Sequence, residues 1–169
     1  REDSKTDTRL IMKPLVTVVT PTTGAPYLRQ AIESVKAQTY DNVQHMVVID
    51  GKQPKADYIT SEYPYIDVVK LPFATGTDRF NGHRIYGASC YLAQGEFICF
   101  LDEDNWLDEN HIESLVNIAS PDTFACSLRK ITDMDGKFIC NDDCESLGNW
   151  LSIIKDYFVD VNCFFLPKR

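Results

Sequence analysis

Basic residues are scarce in this chain: 17 Lys and Arg stand against 25 Asp and Glu, a formal net charge of −8 over 169 residues. That deficit argues against nucleic acid or an anionic membrane surface as the main partner, because both are bound through an excess of cationic side chains. A local basic pocket for phosphate stays compatible with it. Long apolar runs are missing too. No uninterrupted stretch approaches the roughly 20 residues of a membrane-spanning helix, and the first residues lack the apolar core of a signal peptide. Histidine appears three times and no Cys-x-x-Cys pair occurs, so Cys140 and Cys144 around Asp142 and Asp143 lack the ligands for a zinc site. Internal repeats and low-complexity segments are absent. What remains is a soluble chain with 44% hydrophobic residues, enough for one well-buried domain and too short for two.

The six cysteines are Cys90, Cys99, Cys126, Cys140, Cys144 and Cys163. Several lie inside apolar, strand-like runs, where a reduced thiol behaves as a small hydrophobe. This pattern predicts reduced thiols and a cytoplasmic protein.

Residues 1–14 are charged and aperiodic, and are expected to form a mobile leader ahead of a domain over 15–169. Leu15 to Val19 is β-branched and runs into Thr20-Pro21-Thr22-Thr23-Gly24, where breakers should end a first strand. From Pro26 the apolar positions Leu28, Ile32 and Val35 recur at helical spacing as far as Gln38-Thr39. The same rhythm repeats. Val43 to Ile49 reads as a second strand ending in Asp50-Gly51, a short helix follows from Lys55 to Glu62, and Ile66 to Leu71 is a third strand. Pro72 to Asn81 forms a loop, and a helix from about Gly82 to Ala93 leads to Gly95. Alternating strands and helices imply a parallel α/β sheet.

The next strand organises the rest. Phe97-Ile98-Cys99-Phe100-Leu101 is uncharged and apolar, as expected of a strand covered on both faces, and it ends in Asp102-Glu103-Asp104. Ligands of parallel sheets bind at the carboxyl ends of strands. Adjacent carboxylates repel one another, and a divalent cation is their natural partner, although a solvated acidic turn has the same composition. Beyond this turn, His111, Ile112, Leu115, Val116, Ile118 and Ala119 mark another helix. Thr123 to Ile131 and Lys137 to Cys140 flank the turn Asp133-Met134-Asp135-Gly136 and predict an antiparallel hairpin. A short helix over Ser146 to Lys155 and a last strand over Phe158 to Leu166 complete the reading.

In a parallel sheet, Asp50, the acids at 102–104 and the small-residue loop Thr20-Pro21-Thr22 converge on one rim. An acid far from phosphate can accept a hydrogen bond from a nucleobase N–H, and acids beside phosphate can hold a cation. A Pro, Thr and Gly loop lets backbone N–H groups approach a ligand closely. The outline is that of a nucleotide-diphosphate site.

The segments Val18-Val19-Thr20-Pro21-Thr22, Ala31 to Tyr40, Val47-Val48-Ile49-Asp50-Gly51, Ala93 to Ile98 and Leu101-Asp102-Glu103-Asp104-Asn105, in this order and spacing, resemble the family 2 glycosyltransferases of the GT-A fold. The resemblance runs from about Leu15 to Arg169. It implies transfer of a sugar from a nucleotide-diphosphate donor, most readily a UDP-sugar, to a saccharide or other hydroxyl acceptor, with inversion and with Mn²⁺ or Mg²⁺. Carried over by position, Pro21 and Thr22 line the nucleoside, Asp50 faces the base and Arg84 lies near the nucleotide. Glu103 approaches the ribose or sugar, and Asp104, with Asp102, holds the metal.

Two departures stand out: Glu103 replaces the more usual Ser or Asp, and Asp50 is followed by Gly51-Lys52-Gln53. In the family resembled, the general base follows the last strand by a few tens of residues, past Arg169. The expectation is therefore a donor-binding portion of a longer protein, slow or inactive in transfer, with Asp160 the nearest substitute base. His83 beside Arg84 is a further candidate for phosphate. The competing readings are a nucleotide-sugar-binding domain without turnover and a phosphatase of the haloacid-dehalogenase type, whose Asp-x-Asp motif instead ends the strand nearest the N-terminus.

Overall fold

The structure, a computed structural model, describes residues 13–76, 81–142 and 159–168. Four parallel strands form its centre: β1 (Val16–Thr22), β2 (Val43–Ile49), β3 (Asp67–Lys70) and β4 (Phe97–Phe100). Two short strands, β5 (Ala125–Cys126) and β8 (Phe164–Pro167), extend the sheet in the order β3-β2-β1-β4-β8-β5, and β8 runs antiparallel to both β4 and β5. β6 (Arg129–Thr132) and β7 (Phe138–Asp142) make a separate antiparallel hairpin. The helices are α1 (Leu28–Lys36), α2 (Pro54–Thr60), α3 (His83–Leu92) and α4 (His111–Val116). The expected α/β class, mostly parallel sheet and appended hairpin are all present.

The β-branched composition of β1 and β2 suits strands covered on both faces, and alternation along them divides the core. Val16 and Val18 pack with α1 and α4 through Ala31, Val35, Ile112 and Leu115. Val19, Met46 and Val48 point the other way, toward Ile85 of α3 and Ile98 and Phe100. Leu28, Ile32, Val47, Ile49, Ala56 and Ile59 close the layer between β2, α1 and α2.

Several boundaries differ from expectation for identifiable reasons. β1 continues through Pro21 to Thr22. The carbonyl of Val19 accepts from Leu101 on the β4 side and that of Thr22 from Asp50 on the β2 side, so Pro21 faces the β4 side, past the end of β4, where no ladder bond is lost. The single strand expected over Thr123 to Ile131 is divided: Ala125-Cys126 joins β8 while Arg129–Thr132 joins the hairpin. The last strand is shorter than expected, because Val161–Cys163 is a 3-10 turn capped by the Asp160 side chain. In α4 the core-facing pair is Ile112 and Leu115, and Ile118 is 67% exposed. Lys13 and Pro14, expected in the leader, are anchored: Lys13 pairs with Asp41 and the Pro14 carbonyl accepts from Tyr40 Oη. The expected helix over Ser146 to Lys155 lies outside the described residues, as does Trp150.

The described cysteines Cys90, Cys99, Cys126, Cys140 and Cys163 are free thiols. Burial pushes the Cys99 thiol up to about 12 and that of Cys163 to about 11, consistent with small core hydrophobes. His45 is 5% exposed; its Nε2 meets Thr20 Oγ1 at 2.9 Å and its Nδ1 has no partner among the described residues. Among the described residues no helix is long and apolar enough to cross a membrane.

Candidate functional site

The carboxyl ends of β1, β2 and β4 open into one cleft of about 730 Å³, lined by Pro21, Thr22, Asp50, Asp102, Glu103 and Asp104, with Tyr27, Gln53, Asn81 and Tyr86 among its other walls. Parallel pairing with β1 in the middle brings these positions together. Four of the lining residues are carboxylates, and none of the described lining residues is Lys or Arg. A diphosphate entering such a cleft needs a cation to offset repulsion from the acids.

The acids are held in different ways. Asp50 is 5% exposed; its Oδ1 accepts from Thr75 N at 2.6 Å and Thr75 Oγ1 at 2.9 Å, and its Oδ2 from Gly76 N at 3.0 Å. It therefore fixes the start of the loop between β3 and α3. Gly51 makes that possible, since it has φ 79° and a Cβ there would lie 2.7 Å from the Ala74 nitrogen.

Glu103 grips the opposite loop, between β1 and α1. One oxygen accepts from Thr22 Oγ1, Ala25 N at 2.8 Å and Gly24 N at 3.2 Å; the other accepts from Thr23 N and Thr23 Oγ1, both at 2.9 Å. Where ribose contacts are expected of Glu103, its bonds in the structure go to this loop.

Asp102 is taken up on both oxygens, by the Tyr86 hydroxyl and by Asn162 Nδ2 at 2.9 Å, while its own N–H donates to Asn162 Oδ1 at 2.6 Å. Burial, followed by the adjacent Asp102 charge, holds the Tyr86 phenol above the usual tyrosine range, so it stays a proton donor in this bond. Asp104 contrasts with all three, being exposed and without a hydrogen-bond or ion-pair partner among the described residues.

No group of three or more His, Cys, Asp or Glu able to hold a metal occurs among the described residues, so a complete protein cage is not built here. Mg²⁺ and Mn²⁺ do not require one: hard cations of this kind are commonly held by one or two carboxylates and complete their shell with phosphate oxygens and water. Asp104, a free hard oxygen donor on the cleft, fits that chemistry. Asp102, the other expected ligand, has both oxygens already accepting bonds.

Arg84 does not line the cleft; its Nη1 donates to the Thr75 carbonyl at 3.1 Å and braces the loop that Asp50 holds. His83 is exposed and packs edge-on to Tyr86. Asp160 is committed: Oδ1 accepts from Asn162 N and Nδ2, and Oδ2 pairs with Arg129 at 2.9 Å. Trp106, just past the acidic turn, is 37% exposed.

Sequence reasoning missed Thr75, Gly76, Tyr86 as a partner of Asp102, and Asn162. Tyr86 stands four residues after Gly82, on the side of α3 that lines the cleft and away from Arg84, so attention to Arg84 did not lead to it. Asn162 stands 60 residues from Asp102 and carried no sequence signal.

A mostly parallel sheet with its loops and acids gathered at one rim is the arrangement of a GT-A-type domain. It belongs to glycosyl transferase family 2, whose family pattern matches residues 17–155. Glycosyltransferase GlyA of Streptococcus pneumoniae is 26% identical over 107 residues, which are 63% of this chain and 15% of GlyA. The glucosyl-dolichyl phosphate glucuronosyltransferase of Haloferax volcanii is 30% identical over 88 residues, 52% of this chain and 28% of that protein. The chain thus spans less than a third of the length of either relative. Among solved structures, Staphylococcus aureus TarS 1–349 superposes with a TM-score of 0.53 at 20% identity, covering 59% of this chain and 30% of that one. The mannosyltransferase PcManGT of Pyrobaculum calidifontis, in complex with GDP-Man and Mn²⁺, gives 0.55 at 20% identity, covering 72% of this chain and 37% of that one. These superpositions show the fold.

Proposed function

We propose that this chain is the donor-binding part of a cation-dependent glycosyltransferase that moves a sugar from a nucleotide diphosphate, a UDP-sugar in first place, to a hydroxyl acceptor with inversion. The observation that carries the reading is the convergence of three parallel strand ends on a cleft rich in carboxylate and free of described cationic lining. TarS has been captured with UDP and with UDP-GlcNAc, and PcManGT with GDP-Man and Mn²⁺, which supports the donor class and the use of a cation.

In this reading Pro21 and Thr22 form the nucleoside wall, and Asp50 faces the base with the one lone pair of Oδ2 that Thr75 and Gly76 leave open. Glu103 keeps the β1–α1 loop folded so that its backbone borders the donor. Asp104 is the residue that would hold Mn²⁺ or Mg²⁺; when bound, the cation neutralises charge developing on the leaving diphosphate. Inversion also needs a base to take the acceptor proton on the face opposite the diphosphate. Asp160, with both oxygens engaged, is poorly suited to that task, and we assign the base to residues outside this chain, in keeping with the greater length of the relatives.

A thermal-shift panel of UDP, GDP, CDP and their sugars, each with and without Mn²⁺, tests the proposal, because a ligand of the folded state alone raises the melting temperature. A Mn²⁺-dependent rise with one nucleotide is expected. No shift with any of them would sink the reading. A shift together with robust transfer by these residues alone, lost on Asp160→Asn while nucleotide affinity stays, would make Asp160 the base.

A further inference from the structure

We infer that Asn162 is a positioning residue for the acidic turn, holding Asp102 by backbone and side chain at once so that, of the turn's three acids, Asp104 is the one on the cleft without a described partner. The inference rests on the donor-site reading above but concerns residues that the reading does not explain.

Asn162 is 8% exposed and sits in the 3-10 turn before β8, the strand antiparallel to β4. Its amide grips Asp102 with both of its polar atoms: Oδ1 accepts the Asp102 N–H at 2.6 Å, and Nδ2 donates to Asp102 Oδ2 at 2.9 Å. The two bonds form a clamp on one residue, fixing where the backbone leaves β4 and which way the carboxylate faces. The Asp102 carbonyl then accepts from Asn105 N at 3.0 Å, closing the turn that carries Asp104. The direction of Asp104 is thereby tied to a side chain in a neighbouring strand connection.

The clamp is itself anchored. Nδ2 also donates to Asp160 Oδ1 at 2.7 Å, and Asp160 accepts from Asn162 N at 2.9 Å. Arg129 of β6 binds Asp160 at 2.9 Å and Asp142 of β7 at 2.8 Å, so the hairpin holds the far end of the chain of bonds. Only a side chain with both a donor and an acceptor can satisfy an N–H and two carboxylates together. Aspartate of equal size keeps the acceptor but sets a third carboxylate against Asp102 and Asp160.

The consequence is a division of labour among the three acids. Asp102 has both oxygens engaged and shapes the turn, Glu103 holds the β1–α1 loop, and Asp104 is left for the cation. Groups that orient a metal-binding side chain commonly change metal affinity by about 10–100-fold when removed.

The test uses the whole chain with Asn162→Ala and the isosteric Asn162→Asp, in three measurements. Calorimetric affinity for UDP in Mn²⁺ is expected to fall about tenfold or more, whereas affinity for uridine, which lacks phosphate, is expected to change less than about twofold. Amide exchange at Asp102 and Asn105 is expected to accelerate, with the β1 and β2 amides unchanged. A purely structural role would weaken UDP and uridine alike and loosen the central strands too. That outcome, or unchanged UDP affinity in Mn²⁺ for both variants, overturns the inference. If the parent chain binds no nucleotide, the donor reading fails separately, and the exchange pattern at Asp102 and Asn105 decides the clamp by itself.

Discussion

Glu103→Gln isolates what the loop grip is worth. The substitution preserves shape but turns one acceptor into an N–H₂ group facing other donors. The better orientation leaves the amide oxygen where Oε2 now accepts from Thr22 Oγ1, Gly24 N and Ala25 N, and sets the new N–H₂ against Thr23 N, while Thr23 Oγ1 can turn to accept. Two losses follow: one backbone bond is gone, and three lose their charge assistance. A hydrogen bond to a charged group contributes about 1.5–3 kcal/mol and a neutral one about 0.5–1.5. Those figures together exceed about 4 kcal/mol; at a site partly open to water, which takes up part of the lost bonding, the loss is about 2–3 kcal/mol. Relief of repulsion from Asp102 and Asp104 offsets part of it, so the expected net cost is about 1–2 kcal/mol. Urea unfolding followed by circular dichroism measures it, with the m-value unchanged if the denatured state is unaffected. Amide exchange should accelerate at Thr23, Gly24 and Ala25 ahead of the rest of the chain. A change within about 0.5 kcal/mol, the ordinary range for an inconsequential surface substitution, together with unaltered exchange at those amides, would refute the grip.

Asp104→Ala should remove the Mn²⁺-dependent part of UDP affinity and leave stability nearly unchanged, since the side chain is exposed and has no partner among the described residues; equal UDP binding by variant and parent in Mn²⁺ counts against Asp104 as the cation's residue. Gly95→Ala should cost about 1–3 kcal/mol, because the added Cβ would stand 2.6–2.8 Å from backbone atoms of Leu15, Thr17 and Phe97; a thermal melt matching the parent would show that the strands yield at no cost. Burial holds the His45 imidazole down to about 3. The unfolded chain therefore binds the proton more readily below about pH 6.5, and the stability from neutral, buried His45 is complete above that pH and lost as pH falls toward the folded value. His45→Gln should flatten that part of the pH dependence by up to about 1.4 kcal/mol per pH unit; parallel curves for parent and variant between pH 4 and 7 would exclude it.

The order of elements and the rim of the cleft were legible in the sequence, because both follow from local chemistry. Apolar β-branched runs ending in Asp50 and in Asp102-Glu103-Asp104 mark parallel strands and their carboxyl ends, and parallel pairing leaves those ends no choice but one edge. What each acid does there was not legible. Glu103 is defined by amides of residues 23–25, Asp50 by Thr75 and Gly76, and Asp102 by Tyr86 and Asn162. The division of one expected strand between β5 and β6, and the passage of β1 through Pro21, likewise depended on which neighbour stood alongside. Secondary structure is written in short-range periodicity, whereas the partner of a carboxylate is set by where distant segments lie once the core has packed, and a hydrogen bond across 60 residues of chain leaves no periodic trace in either segment.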